Sequence, residues 1–199
     1  MRRWTALLVV AVSMLACAQA PVDRDLLTKK LVAAASARAQ VHVRYTGEYV
    51  KIDYPNGDVP ADTGACTDEI IRIYRAVGID LQKQVHEDMA KHLADYPMHG
   101  RRTDTNIDHR RVPNLMVFYS KFGERLSTAR TAEYLPGDIV AWNLDGKHTH
   151  IGMVVDQKSL FGRYKVLHNI GEGPQIEDVL FDWKIIGHYR YWGTSQTTQ

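Results

Sequence analysis

Apolar residues recur at near-helical spacing in the first half of the chain and in short strand-like runs in the second. From Asp23 to about Arg44, Leu26, Leu27, Leu31, Val32 and Ala35 share one face, and Asp23 or Asp25 is placed to cap the start. Ile70, Ile71, Ile73, Tyr74 and Val77 mark a second helix that stops at Gly78, and residues 83–94 read as a third. A loop dense in breakers, Tyr54-Pro55-Asn56-Gly57-Asp58-Val59-Pro60-Ala61-Asp62-Thr63-Gly64, separates the first two. Residues 97–113 are polar and irregular, ending in the charged run Asp108-His109-Arg110-Arg111, and Asn114 then caps a short helix through Phe122. After Pro136-Gly137 the texture changes. Asp138 to Trp142, Ile151 to Val155, Tyr164 to Leu167 and Gly187 to Trp192 are β-prone runs separated by turn residues. Helices first and an antiparallel meander second describe an α+β domain. No repeat, low-complexity stretch or linker interrupts residues 22–193, so residues 19–199 are expected to form a single domain.

The first twenty residues break this pattern. Met1-Arg2-Arg3 is a positive n-region, Trp4 to Leu15 is uncharged and apolar, and small residues follow as Ala16-Cys17-Ala18-Gln19-Ala20. About twelve apolar residues fall short of the ~20 that a spanning helix needs. The stretch reads as an export signal over 1–18, cut after Ala18, with a cut after Ala20 or a lipoprotein cut before Cys17 as the alternatives. The mature protein is then expected to be periplasmic, without an integral membrane segment.

Composition adds little until the signal is removed. Hydrophobic residues make up 45% and charged residues 24%, the balance of an ordinary globular domain. Loss of Arg2 and Arg3 takes Lys+Arg from 25 to 23, against 23 Asp+Glu, so the mature chain is near neutral. No dense Lys/Arg run is present, and nucleic acid is not an expected partner. Loss of Cys17 takes the cysteines from 2 to 1, so no internal disulfide can form. The remaining thiol is either a small buried hydrophobe or a group retained for its chemistry.

Its surroundings favour chemistry. Cys66 lies in Gly64-Ala65-Cys66-Thr67-Asp68-Glu69-Ile70, where a loop turns into a helix. The unpaired N–H groups and the positive dipole end of a helix start stabilise an anion, so the thiol pKa is expected to be lowered. The same N–H groups can hold the oxyanion of an attacked carbonyl. A thiolate needs a base, and nine histidines are available. Those at 86, 92 and 99 lie in or near the third helix, where solvated histidines are ordinary. His148-Thr149-His150 precedes the apolar run from Ile151, and alternation puts His148 and His150 on one face of a strand. No third ligand accompanies that pair, so neither a metal nor a cofactor is expected. His168 ends the next strand. If the two strands pair as a hairpin, His168 neighbours His150 and can orient it, as the third member of a triad does. A purely structural His168 fits the pattern as well.

Together these segments resemble the NlpC-type cell-wall peptidases, compact bacterial relatives of papain. The matching stretches are Cys66-Thr67-Asp68, Leu135-Pro136-Gly137-Asp138-Ile139-Val140, His150-Ile151-Gly152-Met153-Val154 and His168. More closely, the chain resembles DUF1287, a bacterial family known as a domain of unknown function. That similarity runs through Tyr54-Pro55-Asn56-Gly57-Asp58, Cys66-Thr67-Asp68, Asp104 to Asn114, His150-Ile151-Gly152 and His168-Asn169-Ile170-Gly171. The resemblance implies a papain-like NlpC-type core, N-terminal helices packed on an antiparallel sheet, with Cys66, His150 and His168 as catalytic residues. Cys-Thr-Asp replaces the usual Asp-Cys-Ser of the NlpC-type enzymes, and Asp108-His109-Arg110-Arg111 has no counterpart there.

Tyr54, Thr67, Asn169 and Arg110 are the candidate oxyanion or substrate-binding residues. Tyr54 precedes Cys66 in the loop where the NlpC-type enzymes carry a tyrosine near the oxyanion, although a ring packed for structure is an equal reading. Arg110 and Arg111 can grip a substrate carboxylate as forked donors, or pair structurally with Asp104 or Asp108. The expected function is that of an exported cysteine hydrolase, a peptidase or amidase, acting on peptidoglycan stem peptides. A thiol acyltransferase of the same fold and a non-catalytic envelope-binding module are the alternatives.

Overall fold

The computed structural model describes residues 23–97 and 102–194. The expected export signal at 1–18, with Cys17, lies outside the described residues, as does His99.

Helix α1, Arg24–Arg38, starts where Asp23 accepts the Leu26 N–H at 3.0 Å. It ends six residues short of the expected Arg44. Helix α2, Cys66–Ala76, begins at the cysteine itself, and α3, Leu81–Lys91, is capped by Asp80, which accepts the Lys83 N–H. Helix α4, Val112–Phe122, starts two residues before the expected Asn114 because Pro113, with its fixed φ and no N–H to satisfy, suits the first turn.

A short parallel pair, β1 (Arg44–Tyr45) and β2 (Thr63–Gly64), places Tyr45 opposite Gly64. The main sheet holds β3 (Glu124–Arg125), β4 (Ile139–Asn143), β5 (Thr149–Lys158), β6 (Tyr164–Asn169), β7 (Pro174–Glu177) and β8 (Lys184–Arg190). Its order is β3-β8-β4-β5-β6-β7, with every neighbouring pair antiparallel. The architecture is therefore α+β, with helices packed on an antiparallel sheet.

Alternation splits the strand residues between two cores. Ile139, Ala141, Ile151, Met153, Val155 and Leu167 face the helices and pack with Leu31, Ile70, Ile73 and Tyr74. Val140, Trp142, Val154 and Val166 face the other way, covered by Tyr134 and Leu180, and the Trp142 indole N–H donates to the Leu180 carbonyl at 3.0 Å. The Leu-Pro-Gly-Asp motif is a structural lock. Asp138 is fully buried and accepts from the Leu135 N–H, while its carboxylate meets His188 Nε2 at 2.9 Å and both Nε and Nη2 of Arg190. Those partners tie β4 to β8 and to the loop before β4.

Candidate active site

Cys66 is held at the start of α2 by a set of buried charges. Asp68 accepts the Ala65 N–H at 2.7 Å, and its two oxygens receive Nε and Nη2 of Arg110 at 2.7 and 3.0 Å. Arg110 also donates to the Glu48 carbonyl, and the Thr67 hydroxyl donates to the Arg110 carbonyl at 3.1 Å. Thr67 and Asp68 of the Cys-Thr-Asp motif thus clamp the turn that carries Cys66 onto the Asp-His-Arg-Arg segment. Gly64 belongs to the same clamp, since a Cβ there would lie 3.1 Å from both the Asp68 Cβ and the Arg72 guanidinium. Behind it, Arg72 donates to the carbonyls of Val59, Pro60 and Thr63 and so fixes the loop before Cys66. Arg110 is thus engaged in a bidentate pair, and its partner is Asp68 rather than Asp104 or Asp108.

The thiol departs from the expectation drawn from its helix-start position. Burial pushes it up to about 11, and the nearby Asp68 charge adds to the rise. The backbone N–H of Ile151, and less strongly those of Thr67 and Cys66, pull the other way. Desolvation outweighs the donors because Cys66 is only 5% exposed. These same three N–H groups are the ones available to an oxyanion formed beside the sulfur.

His150 and His168 come together as the hairpin pattern suggests. Strands β5 and β6 pair with Met153 opposite Leu167, and His150 Nε2 lies 3.0 Å from His168 Nδ1. Gly152 permits this approach, because a Cβ there would fall 2.7 Å from the Leu167 carbonyl oxygen and 3.2 Å from the His168 Cβ. Trp142 stacks on His150 at 5.6 Å between ring centroids, and Trp183 meets both imidazoles edge-on. Burial, reinforced by the neighbouring His168, pushes His150 down to about 3, and burial also lowers His168. Both rings are therefore neutral at pH 7. Among the described residues no hydrogen bond joins the thiol to His150; the sulfur instead rests at the amide of Ile151, the next residue along β5.

Pairing of His148 with His150 on one strand face does not occur. His148 precedes β5, is exposed, and binds Asp145 Oδ2 at 2.7 Å. Among the described residues, no group of three or more His, Cys, Asp or Glu side chains is arranged to hold a metal ion.

A cleft of about 400 Å³ opens over the thiol, lined by Cys66, Thr67, Tyr45, Arg110, Arg111 and Thr149 among others. Tyr54 is not part of it. Its hydroxyl points to Glu87 at 3.5 Å and its ring packs edge-on against His86. Tyr45 takes the place expected of Tyr54, because the β1–β2 pairing sets it beside Gly64, two residues before Cys66. Burial raises the Tyr45 hydroxyl pKa, with smaller contributions from Cys66 and Asp68. Asn169 is buried next to His168; its side-chain oxygen accepts the Gly171 N–H at 3.3 Å, and its Nδ2 has no partner among the described residues. Glu177 completes the line from His150 to His168, with Oε2 lying 3.0 Å from His168 Nε2. Sequence reasoning missed it along with all of β7, whose four residues start at a proline and follow Gly171-Glu172-Gly173. The signal for Tyr45 was weaker still, since β1 is two residues long and pairs with a segment rich in breakers.

The profile of the family described as Domain of unknown function (DUF1287) matches residues 32–191. The chain belongs to the DUF1287 family. Within that span lie Tyr45, Cys66, Arg110, Arg111, His150, His168 and Glu177 of this DUF1287 protein. An uncharacterized protein of Escherichia coli (strain K12), YijF, is 48% identical over 166 residues, 81% of each chain. Among solved structures, NlpC1 from Trichomonas vaginalis is similar at a TM-score of 0.46 and 15% identity, covering 88% of this chain and 47% of that one. The chain thus spans about half the length of that structure. No helix among the described residues is long and apolar enough to cross a membrane.

Proposed function

We propose that this DUF1287 protein is an exported cysteine hydrolase that cleaves an amide bond in peptidoglycan stem peptides. The observation that carries the reading is a thiol, the only one among the described residues, at a helix start with three N–H groups beside it on an open cleft; the buried imidazole pair at the adjoining strand ends packs on Trp142 and Trp183, on the other face of the sheet. Motif resemblance to the NlpC-type peptidases and the export signal expected at 1–18 support the substrate and the compartment.

Neutral thiol and neutral imidazole define the resting state. Transfer of the Cys66 proton to His150 as sulfur attacks the carbonyl carbon requires the ring to turn from Trp142 to the cleft side of the sheet, because in this structure it lies on the opposite face. Negative charge passes to the carbonyl oxygen, where the N–H groups of Cys66, Thr67 and Ile151 receive it. His150 returns the proton to the departing amine, and water, deprotonated by the same ring, releases the acid from the thioester. Tyr45 borders the cleft as a further hydroxyl donor. Arg110 is occupied by Asp68, so Arg111 is the cleft's free cation: its side chain makes no ion pair among the described residues, and it suits a stem-peptide carboxylate.

Defined muropeptides incubated with the protein and analysed by mass spectrometry test the reading. Fragments should appear with the wild type and vanish with Cys66→Ala; fragments that persist in the variant would sink it. The buried, neutral thiol favours one competing reading, an envelope-binding module without turnover. Muropeptides retained by the protein but never cleaved would establish that alternative.

A further inference from the structure

The β5–β6 hairpin ends in two apolar side chains that no core uses. Leu160 and Phe161 are 102% and 80% exposed, and neither belongs to either of the two cores. We propose that this tip is a membrane-docking element, which seats Leu160 and Phe161 in the interface of a bilayer carrying anionic phospholipid.

The turn presents the pair rigidly. The Ser159 carbonyl accepts the Gly162 N–H at 3.0 Å, its hydroxyl accepts the Phe161 N–H at 3.3 Å, and its own N–H donates to the Arg163 carbonyl at 2.8 Å. Gly162, at φ +79°, takes the left-handed position that closes such a hairpin. Leu160 and Phe161 are thereby fixed at the two central positions of the turn, beyond the ends of both strands. Those positions ordinarily hold polar or turn-forming residues, whose hydrogen bonds or fixed dihedrals favour the bend. A Leu-Phe pair supplies neither and leaves apolar surface in water, a cost that burial at a bilayer interface removes.

Charge around the tip selects the occupant. Descending from the turn, the first charged residue on either side is a cation, Lys158 at the end of β5 and Arg163 just before β6. Lys158 lies over the Tyr164 ring at 4.9 Å and Arg163 over the Phe161 ring at 5.5 Å. Asp178 pairs with Arg163 through both carboxylate oxygens, so Lys158 and Lys165 carry the surplus charge of this collar. The acids lie further from the tip. Asp156 is two residues below Lys158, about 7 Å along the strand, and Asp182 acts on His168 as well as on Arg163, which sets it toward the middle of the sheet. Cations that flank an apolar tip hold their charge among anionic headgroups while their stems follow the tip inward. Strand β5 also fixes the orientation. Its ten residues run from Thr149, which lines the cleft, to Lys158, a span of about 30 Å, so a docked tip leaves the Cys66 cleft open and clear of the bilayer.

Vesicle binding by residues 19–199, the expected mature chain, tests this. Wild type should sediment with vesicles of phosphatidylethanolamine and phosphatidylglycerol, half-bound on the order of 1 mM lipid, the reversible range of a small apolar anchor. Leu160→Ser and Phe161→Ser should each weaken binding about tenfold, and the double variant should stay in the supernatant. Lys158→Gln should weaken binding to these vesicles about fivefold and leave the weaker binding to phosphatidylcholine vesicles unchanged. Val41→Ser, which removes an exposed apolar side chain elsewhere, should have no effect. In the wild type, a measurement that needs no variant, amide exchange over 158–164 should slow only when anionic vesicles are present. Failure to sediment at millimolar lipid, or a double variant that sediments like the wild type, overturns the assignment. So does a tip that ignores vesicles but mediates self-association or capture of another protein, lost on Phe161→Ser. Muropeptide cleavage enters none of these outcomes, so membrane docking is decided separately from the hydrolase reading.

Discussion

Cys66 should be a slow thiol in the substrate-free protein, although it opens a helix. Burial raises it from 9.0 to about 11, and His150, held down to about 3, carries no charge at neutral pH to offset the rise. Four pH units below its pKa, about one molecule in 10⁴ carries the thiolate at pH 7. The unfolded chain, two units lower, carries about a hundredfold more. Iodoacetamide should therefore alkylate Cys66 on the order of a hundred times more slowly in the folded protein than in urea at the same pH. The rate should climb close to tenfold per pH unit from about 6 to 9. His150→Ala should change it by less than about threefold, because an uncharged ring does not set the thiolate population. Mass spectrometry of the peptide carrying Cys66 reads the rate directly at each pH. A rate flat between about pH 5 and 8 and lost on His150→Ala would reveal a preformed thiolate–imidazolium pair and refute the neutral resting state.

Acid stability checks the same burial. His109 and His150 titrate near 6.5 when unfolded and about 3 when folded, so their contribution is intact above pH 6.5 and drains as pH falls toward 3. At pH 5 each should have lost about 2 kcal/mol, and His109→Gln or His150→Gln should each remove about that much of the pH 7-to-5 difference in urea unfolding; an unchanged difference would refute it. Arg110→Ala leaves Asp68 buried without its bidentate partner and should lower stability by about 3–5 kcal/mol, whereas a loss under about 1 kcal/mol would show that the pair does not clamp the start of α2. Gly152→Ala forces a Cβ against the Leu167 carbonyl and should lower stability by about 1–3 kcal/mol while separating His150 from His168, which tautomer spectra would register. Arg111→Ala should leave the melting temperature in place and raise KM for carboxylate-bearing muropeptides about tenfold with kcat unchanged; an unaltered KM removes Arg111 from substrate binding.

Much of this arrangement was legible along the chain. The four helices and the four long strands of the sheet follow from hydrophobic period and breakers, which act within a few residues, whereas the return of β8 beside β4, in place of the expected meander, is a long-range pairing. The placement of Cys66 at a helix start and of His150 and His168 at neighbouring strand ends follows equally, because hairpin pairing is local. Tertiary structure decided the rest, where a residue's role depends on a partner far away in sequence. Arg110 became the clamp of Cys66 through Asp68, 42 positions earlier. Tyr45, not Tyr54, came to border the cleft because a two-residue parallel pair, too short to leave a pattern, set it beside Gly64. Glu177 reached His168 from an edge strand that begins at a proline and reads as a turn. The thiol's ionisation reversed for the same reason. Helix position is written in the sequence, whereas desolvation is the work of every element packed above the sulfur, and here it outweighs the dipole and the three N–H groups together.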